Sequence, residues 1–328
     1  MMTRRGFMQG SAGLMLGSAL PGHGWAAGPS VANRLLYGYP PGATGSRLAN
    51  ACLPLLDGDA GPNYRLENLD GRNTRLASEM AVKSPADGST LLQVLSSSLT
   101  LTPSLYKTQT FDPLRDFQPL ALMGDFPFAL ALGPMVPKTV VNLQQYLDWV
   151  VDNPEARNIG VSIYGSLAYL AVRILARDTD SSVRVLPYNG TAAVLDDLRN
   201  QNLAAAFLTA GSDVSADPNA VVRAIGVTTR QRLSFWPQIP SLHEQGCKTM
   251  DLTGWFGWFA PAAVPEKIID PLLERIARMQ TTQGYAAIQK KLLLTQVSMN
   301  PDEIRSRMSE EIGLYRALVR DYRINQMD

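Results

Sequence analysis

Three stretches of the chain gather groups able to hold an anion without a fixed cation. They are Tyr39-Pro40-Pro41-Gly42-Ala43-Thr44-Gly45-Ser46, Ser96-Ser97-Ser98-Leu99-Thr100 and Ser162-Ile163-Tyr164-Gly165-Ser166. Each offers backbone N–H groups, hydroxyls and the start of a helix, whose partial positive charge favours a carboxylate or phosphate. None contains Lys or Arg; Arg47 follows just inside the first helix. A fourth loop, Tyr188-Asn189-Gly190, adds an aromatic able to stack on a ligand or hydrogen-bond it, although an Asn-Gly turn explains it equally well. Taken singly, each loop fits an ordinary capped helix start. Together, at one edge of parallel sheets, they point to binding. The candidate ligand-binding residues are therefore Tyr39, Gly42, Ala43, Thr44, Ser97, Ser98, Gly165, Ser166 and Tyr188. In this reading Ser97 and Ser166 donate hydroxyls, and Gly42 lets the backbone approach the ligand where a side chain would crowd it.

Catalytic chemistry is thinly supplied. The chain has two histidines, His23 near the N-terminus and His243 in Pro240-Ser241-Leu242-His243-Glu244. A Ser-His-Asp triad needs His243, yet no Gly-x-Ser-x-Gly elbow exists to hold its nucleophile. His243 and Cys247, four residues apart, make half a metal site that no second cluster completes. No phosphate loop or Gly-x-Gly-x-x-Gly fingerprint follows a strand. Asp196 and Asp197 are adjacent on a helical stretch and so point apart. The expectation is a protein that is not an enzyme and takes no cofactor and no metal, with His243 structural.

The elements that must position the loops alternate between strand and helix. Apolar runs predict strands at Leu35–Tyr39, Tyr64–Glu67, Thr90–Leu95, Phe126–Leu132, Ile159–Ser162, Val183–Leu186, Ala204–Leu208 and Ala224–Val227. Helices are expected after Thr44 or Ser46, over Thr74–Lys83, from a Thr139 cap, from Ser166 and from Thr191. Pro54 should break or kink the first of these. The last helix has a clear start, with Asn300 as N-cap, Pro301 at the first helical position and Glu303 in the first turn. Its buried stripe is Ile304, Met308, Ile312 and Tyr315. Such alternation implies parallel sheets covered by helices, with ligands beyond the carboxyl ends of the strands.

Composition agrees. A chain of 328 residues, 45% hydrophobic and 18% charged, has material for two domains. A net charge of +1 gives no attraction to nucleic acid or to an anionic membrane. No internal apolar run reaches the roughly 18 residues of a membrane span. Residues 1–27 read as an export signal of the twin-arginine type: Arg4-Arg5 precede Phe7 and Met8, a weakly apolar stretch follows, and Ala26-Ala27 supply a cleavage site. A periplasmic location follows. That compartment permits a disulfide between Cys52 and Cys247, although two separate buried thiols, acting as small hydrophobes, are the commoner arrangement for cysteine.

At these loops the chain resembles the Bug receptor family, the periplasmic solute-binding components of tripartite tricarboxylate transport. The resemblance covers about residues 34–322 and rests on motifs in order. They are Tyr39-Pro40-Pro41-Gly42, Asp87-Gly88-Ser89-Thr90-Leu91-Leu92, Thr102-Pro103-Ser104-Leu105-Tyr106, the run Phe111–Phe117, Gly165-Ser166, Pro187-Tyr188-Asn189-Gly190, the run Pro240–Gly246 and the run Trp255–Pro261. The resemblance implies an α/β fold like the type II periplasmic binding proteins. In that fold two lobes with parallel or mixed sheets, flanked by helices, hold a ligand cleft between them. Residues 31–120 with 228–328 are expected to form one lobe and 121–227 the other. The implied ligand is a small organic acid, held by the first three loops. The implied partners are the membrane permease subunits of a tripartite tricarboxylate-type system, with the receptor a monomer and no nucleic acid involved. The same fold also serves sensory proteins that present ligand to a sensor kinase, and a periplasmic hydrolase is a more distant alternative. The chain departs from the family pattern at Ala43, Ser46, Tyr169 and Leu208, where relatives usually carry Gly, Asp, His and an acidic residue. An amino-bearing ligand would miss the acidic partners.

Overall fold

Short apolar runs bounded by turns become strands, and capped amphipathic runs become helices, in a computed structural model that describes residues 33–56 and 63–328. The export signal expected over 1–27, with His23, lies outside the described residues. The first part of the described chain is β1 (Asn33–Tyr37), α1 (Thr44–Leu56), β2 (Tyr64–Asn68), α2 (Arg75–Val82) and β3 (Thr90–Leu95). β1 lies between β2 and β3, parallel to both, with Leu35 opposite Leu66 and Leu91. Two short helices, α3 (Ser97–Thr100) and α4 (Thr102–Leu105), lead to the long strand β4 (Phe117–Leu132). Next come α5 (Leu143–Asp152), β5 (Asn158–Val161), α6 (Leu167–Asp178), β6 (Arg184–Pro187), α7 (Thr191–Arg199), β7 (Ala205–Thr209) and β8 (Arg223–Val227). The chain ends with β9 (Thr253–Pro261), α8 (Glu266–Gln280), α9 (Gln283–Lys291) and α10 (Pro301–Asp321).

The strands form one nine-stranded sheet in the order β2-β1-β3-β9-β4-β7-β5-β6, with β8 also paired to β4. β4 joins two half-sheets. From Phe117 to Pro127 it runs antiparallel to β9, and from Phe128 to Leu132 it runs antiparallel to β7 and β8. The parallel sheets expected from the sequence are present at β2-β1-β3 and β6-β5-β7. The middle of the sheet is antiparallel instead, because β4 carries the chain out of the first half-sheet and β9 brings it back. The segment after β8 stays with the second half, where Trp236 and Ile239 pack among Ala129, Leu195, Leu198 and Ala206.

The differences from expectation have local causes. β4 begins nine residues before the predicted Phe126 because Pro119, Gly124 and Pro127 resemble strand breakers. Two register shifts, at Pro119/Ala121 and Leu122/Gly124, accommodate the irregularity. The sequence reading has no strand at β9, yet Trp255, Phe256, Trp258 and Phe259 are fully buried there, as in a strand covered on both faces. α8 and α9 are likewise absent from the expected elements. α5 starts from Asn142, whose side chain accepts the Gln145 amide, and not from Thr139. α1 continues through Pro54 to Leu56. α10 has the expected capping box of Asn300 and Glu303, and its four predicted stripe residues are buried. Cys52 and Cys247 are both free and buried, so the disulfide that the compartment permits is absent.

Candidate functional site

Three helices present their N-termini to one small cavity between the half-sheets. α1 starts at Thr44, α6 is capped by Ser166 and α7 starts at Thr191; all three residues line the cavity. Local sequence explains each start. Gly42 (φ +87°) turns the chain ahead of α1, and Gly190 (φ +100°) does so ahead of α7, both in the left-handed region that glycine enters freely. Ser166 Oγ accepts the Tyr169 amide at 3.2 Å and donates to the Ile163 carbonyl at 3.1 Å, so its hydroxyl serves the cap.

Beside Thr44, the end of β7 contributes a cluster that the sequence reading missed. Thr44 Oγ1 lies 3.1 Å from Thr209 Oγ1 and 2.8 Å from Ser212 Oγ, and Thr209 and Ser212 also bond each other. Each hydroxyl can rotate to donate either to its neighbour or to a ligand. Ser162 adds a further hydroxyl, and the remaining wall is apolar or aromatic: Tyr37, Leu95, Phe128, Phe207, Leu208 and Phe256. None of the described side chains lining the cavity carries a charge. Tyr37 and Tyr39 stack with ring centroids 5.2 Å apart. Burial raises both phenols well above their ordinary range and keeps them neutral, although a hydrogen bond with Ser97 pulls Tyr39 the other way. The free space is about 20 Å³, room for roughly one water.

Of the residues expected to bind, the structure brings Tyr39, Ala43, Thr44 and Ser166 to the cavity. Ser97 stands behind Tyr39 as its hydrogen-bond partner. Ser98 Oγ lies 3.0 Å from Thr74 Oγ1 and so is engaged with the neighbouring loop. Gly165 (φ +71°) packs against α4, where an added Cβ would stand 2.6 Å from Leu105 Cδ1. Tyr188 turns away, its hydroxyl donating to Asp197 at 2.8 Å. Gly42 is exposed, and an added Cβ would meet nothing within 4 Å. The reason for a glycine at position 42 is thus its backbone angle, not the crowding expected from the sequence. The missed residues are Thr191, Thr209 and the aromatic wall, with Ser212 behind Thr209; Ser162 belongs to the third loop recognised in the sequence, although not to the residues expected to bind. Thr209-Ala210-Gly211-Ser212 carries the same small and hydroxylated signature as the recognised loops, but no helix follows it.

Several contacts bridge the half-sheets around the cavity. Asn73 Nδ2, before α2, donates to the Tyr164 carbonyl at 2.7 Å and to Tyr106 Oη at 3.0 Å. Asn73 sits in a run of three left-handed residues, Arg72 (φ 48°), Asn73 (φ 56°) and Thr74 (φ 71°). Pro40 packs so closely on Gly190 that a Cβ there would stand 2.5 Å from Pro40 Cγ. Deeper in, Trp258 Nε1 donates to Gln93 Oε1 at 2.9 Å, and Gln93 Nε2 donates to the Gly45 carbonyl at 2.8 Å. This relay ties the first turn of α1 to β3 and β9. Among the described residues, no group of three or more His, Cys, Asp or Glu is placed to hold a metal ion, and no helix is long and apolar enough to cross a membrane.

Comparison with known proteins places these features in a family. Residues 64–322 match the description of the tripartite tricarboxylate transporter family receptor. Protein BugT of Bordetella pertussis is 24% identical over 294 residues, covering 89% of this chain and 90% of BugT. Among solved structures, Rpa4515 of R. palustris with adipate superposes with a TM-score of 0.82 at 22% identity, covering 90% of this chain and 98% of that one. MatC from Rhodopseudomonas palustris with bound malate gives 0.79 at 21% identity, covering 87% and 98%.

Proposed function

The chain belongs to the tripartite tricarboxylate transporter family of receptors, and from that premise we propose that it is an exported, non-catalytic solute-binding protein that closes over a small organic carboxylate. The observation that carries this reading is the convergence of the α1, α6 and α7 N-termini, with the Thr44 and Thr209 hydroxyls, on one cavity. Each helix end places partial positive charge and unpaired N–H groups toward the ligand. Hydrogen bonds to a carboxylate from such donors are charge-assisted and do not need a lysine or arginine. The adipate and malate held by the two structural relatives are acids of the same kind.

In this proposal the half-sheets are two lobes. The division falls within β4, near Pro127 and Phe128, where its partners change from β9 to β7 and β8. The segment 229–250 moves with the second lobe, on which Trp236 and Ile239 pack. Tyr39, Gly42, Ala43, Thr44, Ser97 and Ser98 belong to the first lobe's side of the site, and Gly165, Ser166 and Tyr188 to the second. Export to the periplasm rests on Arg4-Arg5 and the small-residue site at Ala26-Ala27. The monomeric, loaded receptor would hand its ligand to membrane permease subunits.

Ligand binding raises apparent stability by mass action, so a thermal-shift panel of carboxylates, sugars and amines tests the reading. Carboxylates should raise the melting temperature while the others do not. Thr44→Val, which removes one donor at nearly constant volume, should weaken the best acid by about tenfold, roughly 1.4 kcal/mol. A sugar or amine as the best ligand would refute the proposal.

A further inference from the structure

We infer that, within the carboxylate-receptor reading on which this rests, the chain selects acids with a single carboxylate, no amino group and an apolar remainder. The charge balance of the cavity is the first ground. Among the described residues, its lining holds no side-chain cation; Arg47, outside the lining and 3.4 Å from Thr44 Oγ1, is turned to the Gly211 carbonyl and offset by Asp213, so the positive potential facing the cavity comes mainly from three helix ends. Each helix end is equivalent to roughly half an elementary charge, about one and a half in all. That matches one anionic group and leaves a second undercompensated, and burying an unpaired carboxylate is costly.

The wall is the second ground. Leu95, Phe128, Phe207, Leu208 and Phe256 face the cavity and offer no hydrogen bond to a second polar head. Ser166 adds little there, because its hydroxyl already donates to Ile163 and accepts from Tyr169. An ammonium group fares worse still. No carboxylate lines the cavity among the described residues, the nearby helix ends repel a cation, and the Tyr37 and Tyr39 phenols stay protonated. Leu208, 2% exposed, presents an apolar side chain at the cavity edge of β7. The cavity as it stands has room for about one water, so an aliphatic or aromatic body reaches this wall only when the half-sheets part; there it gains by removal of apolar surface from water, at about 25 cal/mol per Å².

Matched pairs of acids separate the contributions by calorimetric titration. Butyrate against succinate and hexanoate against adipate add a second carboxylate at constant chain length, and hexanoate against 2-aminohexanoate adds an ammonium. The monoacid in each pair should bind at least tenfold more tightly. Thr209→Val should weaken hexanoate about tenfold in protein that stays folded, as melting of the ligand-free variant shows. Adipate or succinate binding as tightly as its monoacid overturns the inference and leaves the carboxylate-receptor reading standing. Tight binding of 2-aminohexanoate overturns the exclusion of amino acids. Failure of every acid to bind the folded protein overturns the receptor reading, and this inference with it.

Discussion

In the two-lobe proposal, replacing Asn73 with Asp should loosen the contact between the half-sheets, and with it the closed form, without unfolding the protein. Asn73 Nδ2 donates at 2.7 Å to the Tyr164 carbonyl, from the loop before α2 to the loop before α6. Aspartate keeps the left-handed conformation (φ 56°) nearly as well as asparagine does, so the backbone cost of the change is small. The amide donor, however, becomes an acceptor facing a carbonyl oxygen. A lost hydrogen bond of this kind costs about 0.5–1.5 kcal/mol, and the repulsion adds to it. The pair is partly buried, so a total of about 1–2 kcal/mol against the closed form is expected. Where ligand binds the closed form, the apparent dissociation constant rises by the fraction of closed form lost, here about 5- to 30-fold. Calorimetry with the best acid gives that ratio, and melting of the ligand-free protein shows whether the fold itself has suffered. An affinity within twofold of the parent, with an unchanged ligand-free melting temperature, would refute the idea that this bond governs closure.

Burial raises the thiols of Cys52 and Cys247 to about 12, so neither forms thiolate at neutral pH. A thiol reagent at pH 8 should label neither in the native protein and both in denaturant; rapid labelling of the native protein contradicts this. Burial also raises the carboxyls of Glu311 and Asp125, against the pull of Arg307, which lies 3.0 Å from each. A raised acid binds its proton more tightly in the folded state, so its contribution is fully present below the ordinary carboxylate range, about 4, and is lost as pH rises through the shifted value. Glu311→Gln keeps an acceptor for the Trp255 indole, 2.9 Å away, and removes that titration. Its melting temperature should therefore fall less than the parent's between pH 4 and 7, and parallel curves would contradict the assignment.

The legible parts of the fold are those whose signals are local. The strand Thr90–Leu95 is an apolar run closed off by Asp87-Gly88, and α10 announces itself through Asn300, Pro301 and Glu303. The first half of β4 and all of β9 depend instead on each other, since bulges excuse the prolines and two-sided burial erases the period-two pattern. The site divides in the same way. Thr44 and Ser166 are visible as helix starts, and Tyr39 and Ala43 as their neighbours. Thr209, 165 positions from Thr44, is placed beside it by sheet topology that no local pattern encodes. Tyr188 and Ser98 carry suitable groups, but hydrogen bonds to Asp197 and Thr74 occupy them.

β4 also constrains the mechanics of the molecule. Its pairing extends from Phe117 to Leu132, interrupted by register shifts at Pro119/Ala121, Leu122/Gly124 and Leu130/Ala131, and changes partners at Pro127, the one residue type that brings no N–H to such a junction. The carbonyl of Pro127 still accepts from Ala210, and that of Phe128 from Thr228. Hydrogen bonds on both sides of the junction fix the register there. In the two-lobe proposal β4 is the axis between the halves, and Phe128, one residue past the change of partners, is also part of the cavity wall. On that proposal, a solute pressed against Phe128 bears directly on the strand that joins the two halves.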